Sequence, residues 1–200
     1  MPRPVTALLD ANVLYSNALR NLLLQLALND AFEARWTNLI EDEWLRNLED
    51  RTRDRVSQRT LPLIRKHFPE VIVRDFDEDQ TIGDTDPKDG HVAGAAVAVA
   101  PCVLITNNLI DFDVNELAKL GVRVLQPDEF LVGLFDEAPE FIEAATREAA
   151  SNLTKSLPSW DEYVADLDGR AGLKKFAERL RTFDHHPERS PTHAPPKEPD

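Results

Sequence analysis

Cysteine is almost missing from this chain: Cys102 is the only one in 200 residues, so no disulfide can form within one molecule. It lies in the apolar run Cys102-Val-Leu-Ile105 and reads as a buried core thiol. The lack of a disulfide framework suits a reducing compartment, and a cytoplasmic location is expected. Long apolar runs are missing too. No stretch approaches the roughly 18 residues that a membrane-spanning helix needs. The N-terminus, Met1-Pro-Arg-Pro-Val5, passes almost at once into a strand-like segment and lacks the layout of a signal peptide. No Gly-x-Gly-x-x-Gly follows the first apolar segment, which sets aside a dinucleotide-binding fold. Cys and His never occur at zinc spacing, so His91 reads as a surface residue. No internal repeat is evident. Basic charge is also short. Lys and Arg number 23 against 36 Asp and Glu, for a net charge of −13. Proteins that bind nucleic acid through its phosphates are usually basic. A nucleic-acid partner would therefore require a local basic face or bound metal.

What is present is enough for a real core, with 42% hydrophobic residues. The length fits one domain of ordinary size plus an extension. Short apolar, partly β-branched runs predict strands at Val5 to Leu9, Val71 to Val73, Cys102 to Ile105 and Val122 to Leu125. Between them lie helical patterns. Leu19, Leu22, Leu23 and Leu26 are spaced by threes and fours, and the pattern fades at Asn29-Asp30. A second helix is expected from Asn38 as N-cap, with Glu41 three residues on, running through Trp44 and Leu48 into an arginine-rich stretch. A third carries Leu61, Ile64 and Phe68. The acidic segment from Asp75 to Asp86 reads as a loop. Asp86 then reads as the N-cap of a helix opened by Pro87 and rich in small residues from Ala93 to Ala98, which lets it sit close to a sheet. Asn115 to Leu120 predicts a short helix closed by Gly121. Alternating strands and helices of this kind argue an α/β domain with a parallel sheet whose strands are covered on both faces. After Leu125 the pattern turns helical. The expected organisation is a domain over 1–132, a helical extension over 133–184, and a disordered tail over 185–200, which holds five prolines.

Four acids stand where strands should end or helices begin: Asp10, Glu43, Asp89 and Asp111. In an open α/β sheet, ligands bind outside the carboxyl ends of the strands. Asp10 and Asp111 follow predicted strands there, and Asp89 lies at a helix start on the same edge. Glu43 falls on the apolar stripe of its helix, among Leu39, Ile40, Trp44 and Leu48, where an unpaired carboxylate is costly. Glu41 and Asp42 read instead as surface residues. Two carboxylates about 4 Å apart repel by roughly 4 kcal/mol at an effective dielectric near 20. A cluster of four is tolerable mainly when divalent cations neutralise it, and hard oxygen ligands suit Mg²⁺ or Mn²⁺. That donor set points to metal-assisted phosphodiester chemistry.

Each acid also has a plainer reading. Asp10 could cap a helix, although Asn12 and Ser16 are available for that task. Asp111 could make an Asx-type turn beside Asn107 and Asn108. Asn12, Asp86, Thr106 and Asn108 are auxiliary candidates: Asn108 rivals Asp111, and Thr106 could orient a water or bond to backbone. Arg46, Arg51, Arg53 and Arg55 fall in a stretch that could hold a nucleic-acid backbone. With Glu49, Asp50 and Asp54 interleaved, the same stretch also fits a solvated, salt-bridged helix.

At Leu9-Asp10-Ala-Asn-Val13, Glu43, Asp86-Pro-Lys-Asp89-Gly-His-Val-Ala-Gly-Ala-Ala96 and Val103-Leu-Ile-Thr106-Asn-Asn-Leu-Ile-Asp111-Phe112, the chain resembles the PIN-domain ribonucleases. It looks most like the VapC-type toxins of bacterial toxin–antitoxin pairs, over residues 5 to about 130. The resemblance implies a three-layer α/β/α fold with a mainly parallel sheet and Mg²⁺- or Mn²⁺-dependent cleavage of single-stranded RNA. It also implies homodimerisation and inhibition by a small antitoxin. Many such proteins carry Asp two residues after the Thr, where this chain has Asn108. The helices that follow resemble a C-terminal module added in some of these toxins. Two rivals remain: a non-catalytic PIN-like module that binds RNA or protein, and a phosphatase with Asp10 as nucleophile. The latter commonly has a second Asp two residues on, where this chain has Asn12.

Overall fold

A computed structural model describes residues 4–184. The expected tail over 185–200 lies outside the described residues. A parallel sheet in the order β3-β2-β1-β4-β5 forms the centre, and helices flank it in a three-layer α/β/α arrangement followed by C-terminal helices. Its strands are β1 (Val5–Leu9), β2 (Phe32–Thr37), β3 (Ile72–Val73), β4 (Cys102–Ile105) and β5 (Val122–Leu125). Every strand pair in the sheet is parallel.

Strand β2 is the element that the apolar-run criterion overlooks. Its sequence, Phe-Glu-Ala-Arg-Trp-Thr, alternates instead. Phe32, Ala34 and Trp36 are buried while Glu33 and Arg35 are half-buried. Its first four residues pair with β1, from Val5 opposite Phe32 to Leu8 opposite Arg35. Cys102 is buried in β4 as expected; its Sγ donates to the Ala96 carbonyl at 3.2 Å, and burial pushes the thiol up to about 12.

The helices up to β4 are α1 (Ala11–Leu14), α2 (Asn17–Leu28), α3 (Asn38–Arg46), α4 (Asp50–Arg55), α5 (Leu61–His67) and α6 (Gly90–Ala98). A π-helical turn, Val56–Thr60, joins α4 to α5. Three boundaries differ from expectation. Thr37, not Asn38, caps α3, its hydroxyl accepting from Ile40 N at 3.1 Å. α3 stops at Arg46 instead of running through Leu48, and Arg53 folds back onto its end, donating to the carbonyls of Leu45 and Leu48 at 2.9 Å each. Asp86 does not cap α6. It makes a local turn, its Oδ1 accepting from Lys88 N at 2.9 Å, and Asp89 takes the N-cap position.

Helix α6 packs against the acidic loop as well as the sheet. A Cβ built on Gly94 would stand 2.2 Å from the Asp77 carbonyl oxygen, a backbone atom that cannot swing aside. Gly94→Ala is therefore expected to destabilise the protein by about 1–3 kcal/mol, the usual cost of overpacking. An unchanged urea midpoint would contradict this packing.

After α6 come α7 (Val114–Lys119), α8 (Pro127–Glu137), α9 (Pro139–Ser151), α10 (Trp160–Gly169) and α11 (Lys174–Asp184). These last four helices are anchored to the sheet domain. Phe130 of α8 meets Phe32 of β2 edge-on at 5.1 Å between ring centroids. Helix α9 covers α2, with Asn21 Nδ2 donating to the Ala149 carbonyl at 2.7 Å and Asn29 Nδ2 to Glu148 at 2.7 Å. Asp128 of α8 accepts from the backbone N–H groups of Lys175 and Phe176 at 3.1 and 2.9 Å, closing the start of α11. Among the described residues, no helix is long and apolar enough to cross a membrane.

Candidate functional site

The chain leaves β1 for one side of the sheet and later places β4 on the other side of β1. The carboxyl ends of β1 and β4 therefore flank a topological switch point, the place where open α/β sheets bind ligands. The Asp10 N–H donates to the Ile105 carbonyl at 3.1 Å, which locks the two strand ends together.

Asp10 is only 4% exposed and occupies the N-cap position of α1, yet its side chain caps nothing. Its Oδ2 instead accepts from the Thr106 hydroxyl at 2.7 Å and from Asn12 Nδ2 at 2.5 Å. Helix α2 takes its own cap from Ser16. Thr106 is fully buried, and its hydroxyl also accepts from Asn12 Nδ2 at 2.9 Å and from the Asn108 N–H at 3.0 Å. Asn12 Oδ1 accepts from the Asn107 N–H at 2.9 Å. Thr106 thus holds the carboxylate itself. Burial, and then the charge of Glu43, push the Asp10 carboxyl above its ordinary value, against the hydrogen bond from Thr106.

Asp89 lies across from it at the start of α6, also without a capping bond. Its carboxyl is pushed up to about 6, by burial first and then by the charges of Asp10, Asp111, Asp86 and Glu43. The other three expected acids, together with Asp86, therefore all act on Asp89. Asp111 and Asn108, rivals in the sequence, are partners here: Asn108 Nδ2 donates to Asp111 Oδ2. Asp111 closes a short 3-10 turn, Leu109–Asp111, and its backbone carbonyl accepts from the Asp86 N–H at 2.8 Å.

Glu43 is not the buried acid of α3. Its side chain is 40% exposed and faces the site from the rim. The Tyr15 hydroxyl donates to its Oε1 at 3.4 Å, and Asn47 Nδ2 supports that hydroxyl at 2.7 Å. His91 Nε2 lies 4.0 Å from Glu43 Oε2. His91 is not a surface residue as expected; its Nδ1 is buried without a hydrogen-bond partner. The buried acid is Glu41, which accepts from Trp36 Nε1 at 3.3 Å and pairs with Arg65. Sequence reasoning missed Tyr15, Asn47 and His91 around Glu43. For Tyr15 the available signal was its place five residues beyond Asp10, at the end of α1.

The arginines separate into two groups. Arg53 bonds carbonyls at the end of α3 and pairs with Asp50 at 3.2 Å, and Arg46 donates to the Asp42 carbonyl. Arg51 and Arg55 are exposed, and neither has an ion pair among the described residues. The expected salt-bridged helix is thus realised at Arg53 alone.

The charged donors are carboxylate oxygens, the ligand type that hard divalent cations take. Among the described residues, no three Asp, Glu, His or Cys side chains already stand as a ready-made ligand group. The raised carboxyls carry a consequence for stability. Asp89 has a folded value of about 6 against 3.8 unfolded, so the folded state holds the proton more tightly. Its contribution is fully present below pH 3.8 and is lost as pH rises through about 6. Asp10 acts with the same sign. In chelator, the urea midpoint should fall across that window, and Asp89→Asn should flatten the fall. A midpoint that rose over the same window in both proteins would contradict the convergence.

The fold and these residues together define an α/β domain with an acidic centre at its switch point and a helical C-terminal cap. Residues 127–182, from the start of α8 through most of α11, match the family model of the VapC50 C-terminal domain. The match supports a VapC-type family member. No curated protein and no solved structure matches the chain.

Proposed function

We propose that this protein is a Mg²⁺- or Mn²⁺-dependent endoribonuclease that cuts single-stranded RNA, the toxin of a toxin–antitoxin pair. One observation carries the reading: beside the β1/β4 switch point, the charges of Asp10, Asp111 and Glu43 all add to the burial that raises the Asp89 carboxyl. In this reading 1–132 is the nuclease domain and 133–184 its helical extension. A homodimer and a small cognate antitoxin belong to the same reading, as does action in the cytoplasm.

Asp10, Glu43, Asp89 and Asp111 are the residues that would hold the cation. When bound, it would supply an acidified water as nucleophile and screen the approaching phosphate. The chain's own residues prepare that task. Thr106 and Asn12 hold Asp10 Oδ2, leaving Oδ1 free of side-chain partners among the described residues. Tyr15 steadies Glu43 from one side and His91 flanks it on the other. Asn108 fixes Asp111, so the Asn that replaces the commoner Asp has a positioning task.

The test is incubation of the purified protein with total cellular RNA and Mg²⁺ or Mn²⁺, with the cut ends mapped. Defined cut sites that vanish in chelator support the reading. RNA left intact across a range of metal concentrations would sink it. The second reading, a binding module that does not cut, is favoured by the lack of three side chains already posed as ligands. Calorimetric titration with Mn²⁺ separates the two, because a decayed site should release no heat that depends on Asp10.

A further inference from the structure

We infer that Arg51, Arg55 and Arg59 form a rail that binds the phosphates of single-stranded RNA. This rests on the ribonuclease reading and names the surface through which so acidic a protein holds its substrate.

Arg51, Thr52, Arg55, Gln58 and Arg59 line an open depression of about 560 Å³, with no carboxylate among the lining residues. The three arginines are exposed, and none has an ion pair among the described residues. In a protein of net charge −13, three unpaired guanidinium groups around one depression make a local reversal of sign. Thr52 and Gln58 add neutral donors.

The backbone helps to align the three. Four residues over-rotate an α-helix by about 40°, so arginines at positions 51, 55 and 59 would drift round a regular helix. The Val56–Thr60 turn is π-helical. A turn closed by i→i+5 bonds rotates less per residue and swings Arg59 back toward the line of Arg51 and Arg55.

A second cation extends the patch inward. Arg20 is only 7% exposed and has no carboxylate partner among the described residues. It donates to the Leu14 carbonyl at 2.5 Å and to Asn17 Oδ1 at 2.8 Å, and its guanidinium lies 5.0 Å from the Trp44 ring centroid. Arg55 is close enough that its charge, after burial, helps lower the Arg20 value to about 10. Guanidinium groups match phosphate geometry, and such contacts hold a strand without reading its bases.

The test uses the full chain and a short fluorescein-labelled single-stranded RNA, read by anisotropy in EDTA so that cleavage plays no part. The triple variant Arg51→Gln, Arg55→Gln, Arg59→Gln should bind at least about tenfold more weakly at low salt. Its plot of log affinity against log salt should lose about 2 units of slope, near 0.7 per phosphate contact. Arg→Lys at the same positions should keep most of that slope. If the triple variant melts early, Arg51→Gln and Arg59→Gln singly should each remove about 0.7 of slope. Unchanged affinity and slope, or no binding of RNA by the wild type, would overturn the rail. So would a variant that keeps RNA but loses a labelled oligo-glutamate, which would make this an acidic-protein site. Failure of the ribonuclease reading shows separately, as RNA bound in EDTA but never cut with metal.

Discussion

Asp10→Asn is expected to lower divalent-dependent RNA cleavage by at least about a hundredfold, the scale of losing one preorganised electrostatic group, while the protein stays folded. The substitution changes one oxygen for nitrogen and keeps the shape. An Asn oxygen could still accept from the Thr106 hydroxyl, which bonds Asp10 Oδ2 at 2.7 Å. What disappears is a buried negative charge that burial and Glu43 already disfavour. Metal-free, the variant should therefore melt no lower than the wild type, and higher at neutral pH. Mn²⁺ should raise the melting temperature of the wild type and leave that of the variant nearly unmoved. Two measurements check this: initial cleavage rates on one labelled RNA, and melting curves with and without Mn²⁺. Wild-type cleavage by the variant would end the metal-site reading. Loss of cleavage together with a collapsed melting curve would instead make Asp10 a structural residue.

Arg65→Met is expected to cost about 3 kcal/mol of stability, the lower end for breaking a buried ion pair. Glu41 is 5% exposed and its only other side-chain partner among the described residues is Trp36 Nε1, at 3.3 Å. Removing Arg65 leaves the carboxylate buried and half-satisfied. The lower end applies because the Arg65 side chain is itself 55% exposed. The reverse change, Glu41→Gln, should cost less: the amide can still accept from Trp36, and the freed arginine can reach water. Urea midpoints of the two variants give the order directly. Equal losses, or a larger loss in Glu41→Gln, would mean that the carboxylate is better solvated than its position indicates.

The contrast between Glu41 and Glu43 shows where sequence patterning stops being sufficient. Both lie on the same amphipathic helix, and the apolar stripe through Ile40 and Trp44 passes between them. The pattern places a carboxylate at the stripe but does not say which one. Thr37, one residue ahead of the expected N-cap, starts the helix, and Glu41 then faces Trp36 and Arg65. Strand β2 was hidden for a related reason. Its period-two alternation is the mark of a half-covered strand, and it sits among runs that read as fully buried. Asp86 and Asp89 compete in the same way: Pro87 marks a first turn, but the helix begins only after Asp89.

Local chemistry written along the chain was enough to set the α/β class, four of the five parallel strands and the C-terminal helices. Those features depend on periodicity and on turn residues, which act over a few positions. The field that raises Asp89 and the Thr106 hydroxyl on Asp10 depend on residues brought together from separate strands, loops and helices. So does the covering of α2 by α9. Such contacts come from closing long loops around the β1/β4 switch point, and no local pattern encodes which side chains then meet.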